Sequence, residues 1–144
     1  MRTCSNWIGG ILVAMVLMAG SLDKPQPAAG LGGTIWRGVT VTSPSGQVLD
    51  GMPARYVVEF RDDSSVRLKL DCNSAGGSYQ ATDRGGAQGD LRIGALRMTR
   101  ARCPDGSLDQ VVAGMIGGVR TYMMIGGKLI MEVDGGGSLT WEGP

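Results

Sequence analysis

The stretch over residues 65–79, SVRLKLDCNSAGGSY, constrains the fold more than any other part of the chain. Val66, Leu68, Leu70 and Cys72 fall on one side of an extended backbone, and Arg67, Lys69 and Asp71 fall on the other. A period of two is that of a β-strand with one face in a core and one in water. Asn73-Ser74-Ala75-Gly76-Gly77 follows, a cluster of turn formers, and the chain leaves through Ser78-Tyr79. The spacing predicts a strand–turn–strand unit. It puts Cys72 on the core face at a strand end, pinned to something distant in sequence.

The same period recurs on both sides. Thr34-Ile35-Trp36 opens a strand that continues through Val39 and Val41. Trp36 reads as a core side chain, with ligand stacking as the minor alternative. Turns follow at Ser43-Pro44-Ser45-Gly46 and at Asp50-Gly51-Met52-Pro53. Tyr56, Val58 and Phe60 alternate with Arg55, Val57, Glu59 and Arg61, and Asp62-Asp63-Ser64-Ser65 turns that strand into the next as a hairpin. The paired aspartates read as turn residues bonding their own backbone, not as an acid–base couple. Residues 83–90 form a loop without the spacing of a dinucleotide fingerprint. Leu91 and Ile93 alternate, and the phase shifts at Gly94 before Leu96 and Met98, which predicts a bulge or bend.

The repeat changes once, after Cys103-Pro104-Asp105-Gly106. Leu108, Val111, Val112, Met115, Ile116 and Val119 share one face of a helix. Ser107 and Gln110 stand at the spacing of a capping box. Gly114, Gly117 and Gly118 weaken an isolated helix by about 1 kcal/mol each, so packing must hold it. Two hairpins close the chain, one turning at Gly126-Gly127 and one at Asp134-Gly135-Gly136-Gly137. The order of elements gives a mainly β (α+β) domain: a small antiparallel β-barrel of about seven to eight strands with one packed helix at about 107–118.

The first residues read differently. Arg2 precedes an uncharged apolar run, residues 8–20, which at 13 residues is shorter than a membrane-spanning helix requires. It fits a signal peptide cleaved after Ser21, giving boundaries of 1–21 for the signal, 22–33 for a flexible Pro- and Gly-rich linker and 34–144 for the domain. A retained short anchor is the alternative. Ser21 stands where a lipoprotein signal would carry its lipidated cysteine, and a hydroxyl cannot form that thioether. The protein is therefore expected to be periplasmic or secreted, without lipid and without stable membrane insertion. The whole chain carries 14 basic and 13 acidic side chains, a balance with no overall pull toward nucleic acid.

Cys4 would leave with the signal, and Cys72 and Cys103 remain. An even count in an oxidising compartment favours a disulfide, worth on the order of 3 kcal/mol. The alternative is two free thiols packed as small apolar groups.

The chain has no histidine. Ser-His-Asp and Cys-His nucleophile pairs and histidine zinc sites are therefore excluded, and no motif asks for a metal or cofactor. Nothing brings two carboxylates together at a cleft for glycoside chemistry. A non-catalytic binding or assembly module is the leading reading, with an envelope protein as partner, and a lipocalin-like carrier of a small apolar ligand is the second. Asn73, Ser74 and Tyr79 form the candidate binding rim, with turn chemistry and core packing as their alternative roles. Arg92, Arg97, Arg100 and Arg102 could grip an anionic partner, or be a solvated face that discourages edge pairing.

Four stations in the chain resemble the META domain, also known from the HslJ heat-shock-linked proteins of bacterial envelopes. They are Leu31-Gly32-Gly33-Thr34-Ile35-Trp36; Cys72-Asn73 with Gly77-Ser78-Tyr79; Thr99-Arg100-Ala101-Arg102-Cys103-Pro104; and Tyr122 with Gly127-Lys128-Leu129 and Leu139-Thr140-Trp141. Asp71 and Arg102 depart from the usual pattern around the two cysteines. The resemblance covers about residues 31–141. It implies a compact β-barrel-like fold with a helix, an envelope setting linked to heat shock, drug tolerance or virulence, and no catalytic residues.

Overall fold

A computed structural model describes residues 30–85 and 87–143. The signal segment, its cleavage point, Cys4 and most of the linker lie outside these residues. Ten strands and one helix follow in order: β1 Thr34–Thr42, β2 Val48–Gly51, β3 Tyr56–Phe60, β4 Ser65–Leu70, β5 Asn73–Asp83, β6 Gln88–Ile93, β7 Arg97–Met98, α1 Asp109–Ile116, β8 Val119–Ile125, β9 Lys128–Val133 and β10 Ser138–Glu142. Eight strands make a closed antiparallel barrel in the order β10-β9-β8-β6-β5-β4-β3-β1, with β1 pairing back onto β10. β2 pairs beside the second half of β1, and β7 beside the first half of β5.

Alternation fixes which side chains fill the barrel. On β3 Tyr56, Val58 and Phe60 point inward, and on β4 Val66, Leu68 and Leu70 meet them in register. Leu129, Met131, Leu139 and Trp141 close the opposite wall with no exposed surface. Burying each such side chain contributes about 1.5–3 kcal/mol. The Tyr79 and Phe60 rings pack edge to face with centroids 5.0 Å apart. Trp36 is core, and its indole N–H donates to the Thr34 hydroxyl at 2.8 Å.

Four local expectations change. Leu31 is wholly buried and the Gly33 N–H bonds the Phe60 carbonyl, so the folded domain begins ahead of Thr34 and takes in the end of the expected linker. The segment around Asp50-Gly51 is not only a turn: Val48–Gly51 is a short strand, whose partner on β1 no local pattern reveals. The turn formers at 73–77 are strand. Leu70 pairs directly with Asn73, so the turn is Asp71-Cys72, with Asp71 at φ 60°, and Cys72 is exposed rather than on the core face. Smallness at Gly77 serves a crossing instead, since a Cβ there would stand 2.9 Å from the Ala95 carbonyl oxygen, where β5 exchanges β7 for β6 as partner. The phase shift at Gly94 marks this same exchange.

The helix is shorter than expected, and its capping box does not form. Leu108 stands at the N-cap with no side-chain cap, and Gln110 donates to Asp109 rather than reaching back. The barrel supplies the missing partner: the buried Tyr56 hydroxyl accepts the Leu108 N–H at 2.7 Å. That bond ties the start of α1 to β3. Tyr56→Phe keeps the ring and orphans a buried N–H, so it is expected to lower unfolding free energy by about 1–2 kcal/mol in urea titrations. An unchanged midpoint would show that the helix start is held elsewhere.

Candidate functional site

The turn between β4 and β5 meets the segment leading into α1, and a buried polar cluster forms between them. Cys72 and Cys103 are disulfide-bonded, with Cα atoms 5.4 Å apart. Asn73, at 2% exposure, sits beneath the bridge. Its carbonyl oxygen accepts from the Ala101 N–H at 2.8 Å and the Thr99 hydroxyl at 2.9 Å. Its amide donates to the Ala101 carbonyl at 2.9 Å and to Asp109 Oδ2 at 3.0 Å. Outside this cluster Asp71 is bonded by the Arg55 guanidinium, with Arg55 Nε donating at 2.7 Å.

Asp109 is also buried. Burial pushes its carboxyl up, but hydrogen bonds from Gln110, Asn73 and Ser107 outweigh that and hold it below the usual carboxylate value. Its place in the first turn of α1 also suits a negative charge. A carboxyl depressed in the folded state stabilises the fold above its unfolded value of about 4, and that contribution is lost as pH falls through the folded value. Asp71, held low by Arg55 and Ser107, acts in the same direction. Thermal melts from pH 7 to pH 2 are expected to show stability falling below about pH 4, and Asp109→Asn should make that fall shallower. An unchanged acid limb in the variant would remove Asp109 from the account.

The residues expected to form a rim are dispersed by this arrangement. Asn73 is enclosed in the cluster, and Tyr79 is in the core with its hydroxyl donating to the Arg61 carbonyl at 2.9 Å. Of the three only Ser74 is exposed. The alternation on β5 decides this, because Asn73, Ala75 and Tyr79 fall on its inward face. The four arginines are all exposed, and they come from three parts of the chain. Arg92 on β6 donates to the Arg120 carbonyl at 3.0 Å. Arg97 is on β7, while Arg100 and Arg102 lie in the segment between β7 and α1. Arg67 and Lys69 on β4 join the outer face beside Arg97 through β5, and residue spacing gave no sign of that proximity.

Among the described residues no group of three or more Asp, Glu or Cys side chains is placed to hold a metal ion, and no helix is long and apolar enough to cross a membrane. No curated protein matches the chain. Its fold is similar to that of a Burkholderia xenovorans protein solved by NMR, at 17% identity and a TM-score of 0.63, covering 100% of this chain and 97% of that one. It is also similar to a crystal structure of a DUF4847 family protein from Bacteroides vulgatus ATCC 8482, at 11% identity and a TM-score of 0.50, covering 78% and 93%. Neither neighbour's name carries a catalytic activity, and at these identities the likeness is one of fold. The family model of the META domain matches residues 29–142, a span that takes in the whole barrel, the disulfide and the helix; the chain belongs to the META domain family.

Proposed function

We propose that this protein is an exported, non-catalytic binding module of the bacterial envelope, acting through its outer surface on a protein partner in stress or drug tolerance. The observation that carries the reading is the filled barrel. Inward positions on every barrel strand hold buried side chains, from Leu68 and Leu91 to Met131 and Trp141. Small barrels packed in this way leave recognition to their exterior. Export is supported by the leader-like residues 1–21 and by the disulfide, and Ser21 in place of a lipobox cysteine argues against a lipid anchor.

One observation favours the carrier reading. The Tyr122 hydroxyl and the Trp141 indole N–H are buried with no hydrogen-bond partner among the described residues. Both belong to the barrel interior, where a guest with an acceptor atom would satisfy them. Native mass spectrometry of protein recovered gently from the producing cell separates the two readings. The module is expected to give a bare mass beginning at Leu22, and in-cell crosslinking should add protein adducts. A stoichiometric lipid-sized adduct would overturn the module in favour of the carrier.

A further inference from the structure

On the outer face of the first half of β5 the side chains are small. Ser74 and Ser78 flank Gly76, and Gly76 pairs with Arg67 of β4 on one side and with Arg97 of β7 on the other. Adjacent strands lie about 4.8 Å apart, so these two arginines rise about 10 Å from each other with no side chain between them. Lys69 faces Ser74 from the same wall as Arg67. On the far side Arg92 stands opposite Gln80, farther along β5. Neither the Arg67 nor the Arg97 side chain makes a hydrogen bond or ion pair among the described residues. Glu59 faces Arg67 from β3 and has its own ion pair with Arg61 at 3.5 Å.

The glycine itself is informative. Glycine inside a strand costs about 0.5–1 kcal/mol relative to alanine, and it normally marks a positive φ or a close contact. Gly76 has neither, since the nearest atom to an added Cβ is the Val66 carbonyl oxygen at 3.7 Å. The fold has room for a side chain there. What a side chain would obstruct is the space between the two guanidiniums.

We propose that this trench receives an extended acidic segment of a partner protein. One carboxylate bridges Arg67 and Arg97 above Gly76, and the next carboxylate on the same face of the segment, about 6.8 Å along, reaches Lys69. This rests on the binding-module reading and assigns the partner's chemistry. A peptide fits better than an anionic bilayer, because no large apolar side chain is exposed on β4, β5, β6 or β7 to enter a membrane interface.

The test uses the protein recovered from its producing cell and a fluorescent ten-residue peptide alternating glutamate and threonine. Binding is expected to weaken steeply with salt. Arg67→Gln with Arg97→Gln should reduce affinity at least about tenfold. Gly76→Val leaves the charge unchanged and should reduce affinity about fivefold or more, with Gly76→Ser as the milder obstruction should valine disturb the melting temperature. Peptide binding that ignores both the arginine pair and the Gly76 variants would overturn the trench. So would capture by phosphatidylglycerol vesicles without peptide binding, which would make the face a lipid surface. If the peptide fails while crosslinking still finds protein partners, the trench assignment falls and the module reading stands; if crosslinking also finds none, both fall.

Discussion

Asn73→Ala is expected to destabilise the protein by about 3 kcal/mol. The alanine removes four hydrogen bonds to oxygen and nitrogen partners at once, two accepted and two donated, and a weaker one to Cys103 Sγ. Their partners are not freed equally. Thr99 and Ala101 have solvent close by and recover part of what they lose, whereas Asp109 is buried and loses a donor that helps keep it charged. A buried charged acceptor left short of a donor accounts for most of the figure, at roughly 1–3 kcal/mol. Asn73→Asp sharpens the argument because its shape is the same. It would set a second carboxylate about where an amide now donates to Asp109 Oδ2 at 3.0 Å. Two carboxylates so placed raise at least one carboxyl, so the variant should be least stable near pH 7 and gain relative to the native protein as pH falls toward about 4. Urea titrations at pH 7 and pH 4.5 measure both effects. A loss under about 1 kcal/mol for Asn73→Ala, or no relative recovery of Asn73→Asp in acid, would show that Asn73 is not the centre of the cluster.

The barrel was legible in the sequence because period-two alternation survives wherever one strand face is buried, as on β3, β4, β9 and β10. Its closure through β1 and β10 was not, since no local signal links residues about 100 positions apart. Composition misled at 73–77, where turn formers make strand. Asn73 is drawn inward by its bonds to the segment before α1, while Gly77 is kept small by Ala95. The same stretch hid the site. Tyr79 beside an expected turn looked like a rim, but the two-residue step along the strand from Gly77 to Tyr79 carries its ring to Phe60. The capping box failed because the helix starts one residue later than its spacing implies, with Leu108 at the N-cap and its N–H taken by a tyrosine 52 residues away. Arg67 and Lys69 were visible as outward residues, but what they stand beside depends on the register of β4, β5 and β7.

Breaking the Cys72–Cys103 bond should cost at least as much as losing Asn73, and the two losses should not add. The bridge spans a sequence separation of 31, and in the chain-entropy picture a loop of that length contributes about 3–4 kcal/mol. Cys72→Ser, Cys103→Ser and the double variant should therefore all lose this amount, since either substitution abolishes the same bond. Reductant should bring the native protein to the same midpoint and leave the variants unmoved, and the exposed side of the bridge at Cys72 gives it access. The disulfide and Asn73 fasten the same two pieces of chain: Cys72 and Asn73 are adjacent, and they hold Cys103 and Ala101 respectively. When one fastening is gone the segment before α1 is looser, and the other has less native geometry left to stabilise. Cys103→Ser with Asn73→Ala is thus expected to fall short of the sum of the single losses by about 1 kcal/mol or more. Strict additivity would mean that the two act on separate units. Additive losses for the two cysteine substitutions alone would mean that the sulfurs are not bonded to each other in solution.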